Sequence, residues 1–304
     1  MKVIIPVAGR GTRLRPHTDQ IQKALLPLAG KPLLDHIVEN LLAQGFDRLS
    51  FIVGHFGDQI SDHLKKYRGQ FEIVYQTEQL GLGHAVLQGL QDTDQPLLVY
   101  LGDAVYDYPL PKLRTLVENG IAVQPVADPE RFGVVALEGD RITGFHEKVA
   151  DPPTNLAIIG LYYFQQEQRL KQALEYLLEN DHRTNGEYQL TDALTVMLNW
   201  GEPFRVIRGA VWYDAGIPET YLRSNRLLLR SDHQDFPGVE FREPVHVGPG
   251  CRISNSVIGP HVTIMDDCRI DNCELTDCVV LAGSRLKDKN IRSRITAGDG
   301  SEYC

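Results

Sequence analysis

The sequence predicts an α/β fold with a mostly parallel sheet, followed by a short stack of β-coils. Three observations predict it. Apolar runs of strand length alternate with helix-period segments from residue 2 to about 200. Those runs are apolar on both faces, as strands covered by helices must be. After about residue 240 the period changes, and apolar residues recur every five or six positions. The change divides the 304-residue chain into a large domain over 1–236 and a smaller one over 237–304.

The elements follow in order. KVIIPV reads as the first strand; Leu33, Leu34, Ile37, Val38, Leu41 and Leu42 then share one helical face, and Gly45 ends that helix. LSFIVG is the next strand, followed by a polar helix near 58–67, the strand FEIVYQ, a helix after Gly83 and the strand PLLVYLGD. A helix near 110–119 and the strand IAVQPV continue the alternation. FGVVALEGDRITGFHEK then reads as a hairpin with Gly139 in its turn, an insertion forming one wall of a cleft. The strand LAIIGLYYF and helices near 166–179 and 188–199 close the large domain. Ligands of such sheets bind at the C-terminal strand ends, which selects residues 8–18, 76–84 and 102–107.

In the last segment, Val247, Ile253, Ile258, Ile264, Ile270, Leu275 and Val280 mark the coil period. Cys251, Val262, Cys268, Cys273 and Cys278 stand two positions before several of them and read as small inward-facing core residues. All five cysteines, with Cys304, lie in this segment, and their spacing matches no C-x2-C zinc pair. An exposed face or end of such a stack suits an oligomer contact. We leave the structure of the polar residues 286–304 open.

Composition narrows the function. A formal net charge of −9 argues against a general binder of nucleic acid or of an anionic membrane, so any anion site is local. The apolar run that opens the chain is too short for a signal peptide or a membrane span, and a cytoplasmic protein is expected. Against that background GRGTRLRPHT, residues 9–18, stands out, because it sets cations on a glycine-rich turn. It lacks the third glycine of a dinucleotide fingerprint and the Gly-Lys-Ser/Thr of a triphosphatase loop. What remains is a turn whose Gly9 and Gly11 amides can approach phosphate oxygens, with Arg13 and Lys23 aimed at the same oxygens.

The run GRGTRLRPHT…KALLPLAGKP resembles the signature of the sugar-1-phosphate nucleotidyltransferases, the nucleoside-diphosphate-sugar pyrophosphorylases. YQTEQLGLGHAV, LGDAVYD, GVVALEGDRITGFHEK, PPTNLAIIGLYYF, GEYQLTDAL and WYDAGIPETYLRSN follow in that family's order. The resemblance implies a Rossmann-like mixed, mostly parallel sheet nucleotidyltransferase domain followed by a short, hexapeptide-like left-handed β-helix. It also implies attack of a sugar 1-phosphate on the α-phosphorus of a nucleoside triphosphate, with Mg2+ as cofactor and these two anions as partners.

By the family pattern, Asp103 and Asp214 hold the metal, a sensible number of carboxylates for Mg2+. Arg13 would hold the leaving pyrophosphate, Lys23 the phosphates near the reacting centre, and Lys148 the sugar phosphate. Ala8, Gly9, Gly11, Thr12, Gln76, Gly81 and Gly102 match nucleotide-binding positions, and Gly133, Glu147, Asn155 and Gly160 match sugar-binding ones. A glutamine amide at 76 can donate to a pyrimidine carbonyl and accept from the ring N–H, which favours UTP or dTTP. Glucose 1-phosphate is the expected sugar and N-acetylglucosamine 1-phosphate the alternative; a non-catalytic nucleotide-sugar sensor is the alternative from another class. Three positions depart from the pattern: Leu82, where a hydroxyl is common, Ala104 and Val149. Bland roles compete at single positions, since Asp103 could cap an element, Asp214 could sit in a turn, and Trp212 could be core. His17 and His84 read as loop and helix-start residues, and Arg10 and Arg15 as solvated ones.

Overall fold

KVIIPV becomes the strand Lys2–Val7, which pairs in parallel with Arg48–Val53 on one side and Leu97–Tyr100 on the other. A computed structural model describes residues 1–298; residues 299–304, with Cys304 and the end of the polar tail, lie outside the described residues. The nine-stranded sheet runs Gln70–Tyr75, Arg48–Val53, Lys2–Val7, Leu97–Tyr100, Leu156–Phe164, Asn119–Pro125, Phe204–Ile207, Arg141–Glu147 and Gly133–Glu138. Only Leu156–Phe164 and Arg141–Glu147 run against the rest, so the sheet is mixed and mostly parallel.

Helices α1 (Leu33–Ala43), α2 (Gly57–Leu64), α3 (Leu82–Gln88), α4 (Glu167–Glu179), α5 (Leu190–Asn199) and α6 (Pro218–Leu228) complete the main elements. Leu170, Leu174 and Leu177 of α4 and Leu190, Leu194 and Met197 of α5 bury their apolar faces with Val99, Ile121 and Phe164 of the sheet. Each such side chain contributes about 1.5–3 kcal/mol of transfer free energy, which outweighs helix propensity in short helices like these.

Two expectations need correction. The helix near 110–119 is a 3-10 turn over Leu110–Thr115, and the next strand already begins at Asn119. Leu110, Leu113 and Leu116 recur every third residue, the period of a 3-10 turn, and the strand that begins at Asn119 leaves no room for a longer helix. The hairpin of residues 133–147, expected as an insertion forming one wall of a cleft, is continuous with the sheet as its far edge, and Val134 pairs back onto Ala157. Periodicity gives strand existence but not strand partner. A smaller difference is that α3 starts at Leu82, which puts Gly83 inside its first turn.

The coil segment forms three parallel ladders. In one of them residues 240, 257, 274 and 290 stand in register, so a coil takes 16 or 17 residues and three faces divide it into steps of five or six. Ile253, Ile258, Ile264, Ile270, Leu275 and Val280 point inward as expected, whereas Val247 is only half-buried. Cys251, Cys268, Cys273 and Cys278 are buried thiols of the same core. Corners are turned by left-handed residues stacked coil upon coil, as at Asn255, Asn272 and Asp288, types that adopt positive φ at small cost.

Packing divides the chain into two compact units. One holds residues 1–9, 38–102 and 106–212. The other joins residues 10–37 and 103–105 to everything from Tyr213 onward. The glycine-rich turn and both candidate metal aspartates are therefore packed in one unit with the coils. Among the described residues, no helix is long and apolar enough to cross a membrane.

Candidate active site

Lys23 opens a 3-10 turn, Lys23–Leu25, whose first free amide is satisfied by the Gln22 side chain. Its Nζ lies 3.1 Å from Asp103 Oδ2. Asp103 follows the strand Leu97–Tyr100 by three residues, and its carbonyl accepts the Ala215 amide at 3.0 Å. That backbone bond ties the segment of Asp214, the last residue of the strand Val211–Asp214, to the segment of Asp103. Asp214 Oδ1 accepts the Gly216 amide at 2.9 Å, so the turn role anticipated for it is real. Burial pushes the Asp214 carboxyl above the usual range, and the charge of Asp103 pushes it further, against opposing effects of Thr220, Gly216 and Lys23.

Gly11 belongs to the same unit and serves it differently from the expectation. It sits at φ 63° before the turn Thr12–Leu14, and a Cβ there would meet Lys23 Cβ at 2.9 Å. Its missing side chain thus gives room to Lys23. Thr18 donates to the Gly11 carbonyl at 2.9 Å and holds the turn. Thr12 and Arg13 are exposed, and Arg13 has no ion-pair partner among the described residues. Arg15 instead pairs with Asp19 at 3.1 Å.

The other unit holds two groups. In the first, Gln76 ends the strand Gln70–Tyr75, and its amide nitrogen donates to the Gly81 carbonyl at 3.1 Å and faces His84 Nδ1 at 2.9 Å. Burial lowers the His84 pKa, so the neutral ring can accept at Nδ1. In this arrangement the amide nitrogen of Gln76 faces internal acceptors, and its carbonyl oxygen is the atom turned to no protein partner. Gln79 donates to the Ala8 carbonyl at 3.2 Å, while Gly9 has open space around its Cα.

In the second group, Glu147 accepts the Thr191 hydroxyl at 2.7 Å and pairs with Lys148 at 3.0 Å. Gly133 lies against that carboxylate, 2.9 Å from where its Cβ would be. Gly160 is buried in a bulge of the strand Leu156–Phe164 against Tyr106 and Leu101, and Asn155 is exposed just before that strand. Trp212 packs edge-on against Phe132. His84, Gln79 and Thr191 bond to the expected site residues without having been singled out as such in the sequence. The signal for His84 is its place in the block with Gly81.

Gly102 gives a sharp test of close approach. A Cβ there would lie 2.3 Å from Val7 Cγ1 and 2.8 Å from the Pro6 carbonyl. Gly102→Ala is expected to cost about 1–3 kcal/mol by overpacking and to displace the neighbouring Asp103. Calorimetry should show a clearly lower Tm; an unchanged Tm would refute the tight packing.

The Asp103 and Asp214 pair fits a divalent cation. Burial and the charge of Asp103 disfavour the ionised form of Asp214, which a bound cation would offset, and Mg2+ takes few protein ligands beside phosphate oxygens and water. The pH dependence follows from the raised Asp214 pKa. A carboxyl whose folded-state pKa is raised favours the metal-free fold below its unfolded pKa, and that contribution is lost as pH rises through the folded value. Chelated wild type should therefore gain stability relative to Asp214→Asn as pH falls through the window just above the ordinary carboxylate range. A pH-independent difference in Tm between the two would contradict the assignment.

The sequence model of the family described as "Nucleotidyl transferase" matches residues 2–231. A glucose-1-phosphate thymidylyltransferase of Streptomyces griseus is 28% identical over 323 residues, covering 94% of this chain and 88% of that protein. The bifunctional protein GlmU of Methanococcus maripaludis strain C7 is 34% identical over 232 residues, covering 75% of this chain and 54% of GlmU. Among solved structures, a glucose-1-phosphate thymidylyltransferase from Bacillus anthracis in complex with sucrose is 25% identical with a TM-score of 0.65, covering 77% of this chain and 98% of the other. A UDP-glucose pyrophosphorylase complexed with UDP-glucose is 27% identical with a TM-score of 0.63, covering 74% and 97%.

Proposed function

Because the chain belongs to the nucleotidyl transferase family, we propose that it transfers a nucleotidyl group from UTP or dTTP to glucose 1-phosphate. Sugar-phosphate nucleotidyl transfer is the reaction class of its relatives, and the chain is an enzyme of that class. The observation that carries the reading is Lys23 set against Asp103, with Asp214 in electrostatic contact, on the segment that follows the glycine-rich turn. Glucose is favoured because the relative aligned over 94% of this chain, and both structural neighbours, are named for glucose 1-phosphate or UDP-glucose. N-acetylglucosamine 1-phosphate stays second, on the resemblance of EQLGLGHA to the N-acetylglucosamine-1-phosphate uridyltransferases.

Chemically, a phosphate oxygen of the sugar 1-phosphate forms a bond to the α-phosphorus. The bond from that phosphorus to the bridging oxygen breaks, and pyrophosphate departs with the electron pair. No general base is needed, because the attacking phosphate is already ionised. The barrier is the meeting of two anions, so fixed cations and orientation supply the catalysis. Lys23 neutralises charge at the reacting phosphates, Arg13 holds the departing pyrophosphate, and Lys148 orients the sugar phosphate. Mg2+ held by Asp103 and Asp214 would supply further neutralisation of the phosphate oxygens. Gln76 accepts from the N–H of a pyrimidine ring, Gly81 and His84 fix that amide, and by the family pattern Ala8, Gly9, Gly11, Thr12 and Gly102 are nucleotide-binding positions. Glu147, oriented by Thr191, accepts from sugar hydroxyls, with Gly133, Asn155 and Gly160 around it.

The finer architecture belongs to the same proposal. Residues 1–236 are read as the catalytic domain and those from 237 on as a left-handed β-helix with a C-terminal tail, a reading that the three parallel ladders among the described residues support. A homo-oligomer through an exposed face of the coil stack belongs to the same reading. A cytoplasmic setting is supported by the unpaired state of its four described cysteines.

Pyrophosphate release measured with UTP, dTTP, GTP and ATP against glucose, N-acetylglucosamine and mannose 1-phosphates tests the reading. Turnover with a pyrimidine triphosphate and glucose 1-phosphate is expected to be fastest. Binding without turnover in every pair would establish the sensor instead, and a preference for N-acetylglucosamine 1-phosphate would establish the second reading.

A further inference from the structure

Helix α6 starts four residues after Asp214 and is bonded on several sides within its own compact unit. Toward the metal aspartate, the buried Ser224 hydroxyl donates to the Asp214 carbonyl at 2.7 Å. Toward the segment after Lys23, the Tyr221 hydroxyl donates to the Pro27 carbonyl, and Asn225 Oδ1 accepts the Ala29 amide at 2.8 Å. Pro27 and Ala29 belong to the small hairpin of Pro27–Leu28 and Lys31–Pro32, which follows the Lys23–Leu25 turn directly. Toward the coils, the same Asn225 Oδ1 accepts the Thr263 hydroxyl at 3.0 Å, and Arg226 grips Asp277 with two N–H groups. The hairpin also rests on the coils directly, since the His246 ring lies where a Cβ on Gly30 would be, 2.9 Å away.

One amide oxygen, buried with its residue, thus receives a donor from the Lys23 segment and a donor from the coil stack. Both of its lone pairs are directed, so the distance between those two elements is fixed by hydrogen-bond geometry. Ser224, the residue before it, fixes the backbone of Asp214 at the same point of the helix. We propose that Asn225 and Thr263 are positioning residues, through which the coil stack sets the placement of Lys23 and Asp214 for the chemistry. This rests on the proposed function above. The coils, on this account, are part of the catalytic apparatus as a template, and errors of a fraction of an ångström at this bridge reach the two charged groups.

Thr263→Val is the cleanest test, because it keeps the volume, removes only the donor and leaves no new buried donor unsatisfied. It is expected to lower kcat about five- to tenfold with the nucleotide KM unchanged, and to weaken Mn2+ binding, followed by electron paramagnetic resonance without substrate, by about threefold. Thr263→Ser, which restores the hydroxyl, should return both quantities to near the wild-type values. Asn225→Leu should exceed Thr263→Val in both readouts, and should it not fold, the Thr263 pair still decides. Wild-type kinetics and wild-type Mn2+ affinity in Thr263→Val would overturn the positioning role alone. A wild-type protein without turnover in any substrate pair would overturn the function reading instead, and the Mn2+ titration would then decide the positioning role by itself.

Discussion

Asp214→Asn lowers kcat by about three orders of magnitude in our expectation, and Asp103→Asn does the same. The substitution is nearly isosteric, so lost activity reports lost charge. The two variants should separate in stability. Asp214 is disfavoured in its ionised form by burial and by Asp103, so Asp214→Asn should be as stable as chelated wild type near neutral pH, or more so. Asp103 has Lys23 at 3.1 Å, and Asp103→Asn strands that ammonium, which has little exposure of its own. Mn2+ binding should fall steeply in both. Retention of more than a tenth of wild-type kcat in either variant would remove that aspartate from the proposed metal pair.

Lys23→Met is the second large effect, and its two readouts move in opposite directions. Turnover should fall by about two to three orders of magnitude, the scale for removing a fixed cation aimed at developing charge. Binding of Mn2+ to the free protein should tighten, because Lys23 competes with the ion for Asp103 Oδ2. A purely structural lysine would give loss of stability with weaker, not tighter, ion binding. Arg13→Ala should act more mildly, since its exposed guanidinium is free of ion pairs among the described residues and its contribution begins only when pyrophosphate is present.

Much of this was legible because local chemistry leaves local marks. Strand LAIIGLYYF is apolar and rich in aromatic residues and isoleucine, and it appears as Leu156–Phe164. The coil period of five or six was visible because inward positions repeat whatever the handedness or the neighbouring coil. The short turn at 110–115 left a local mark too, since Leu110, Leu113 and Leu116 recur every third residue, the period of a 3-10 turn. For Gly11, the glycine was recognised but not its reason: proximity to Lys23 is a contact across a turn, which spacing does not encode.

The sequence by itself determined which side chains could carry the chemistry: an arginine and a lysine around a glycine turn, two separate aspartates, and a glutamate and lysine at the end of a hairpin. It also determined the two periods, and with them the kind of element on each side of residue 240. Only the tertiary structure decided which of those groups share surroundings. It put Lys23 against Asp103, set Asp214 within reach of both charges, turned the amide nitrogen of Gln76 to Gly81 and His84, and packed the two aspartates in one unit with the coils. The reason is physical: composition and period act over a few residues along the chain, whereas Coulomb forces and hydrogen bonds act through space between residues that may be 80 positions apart.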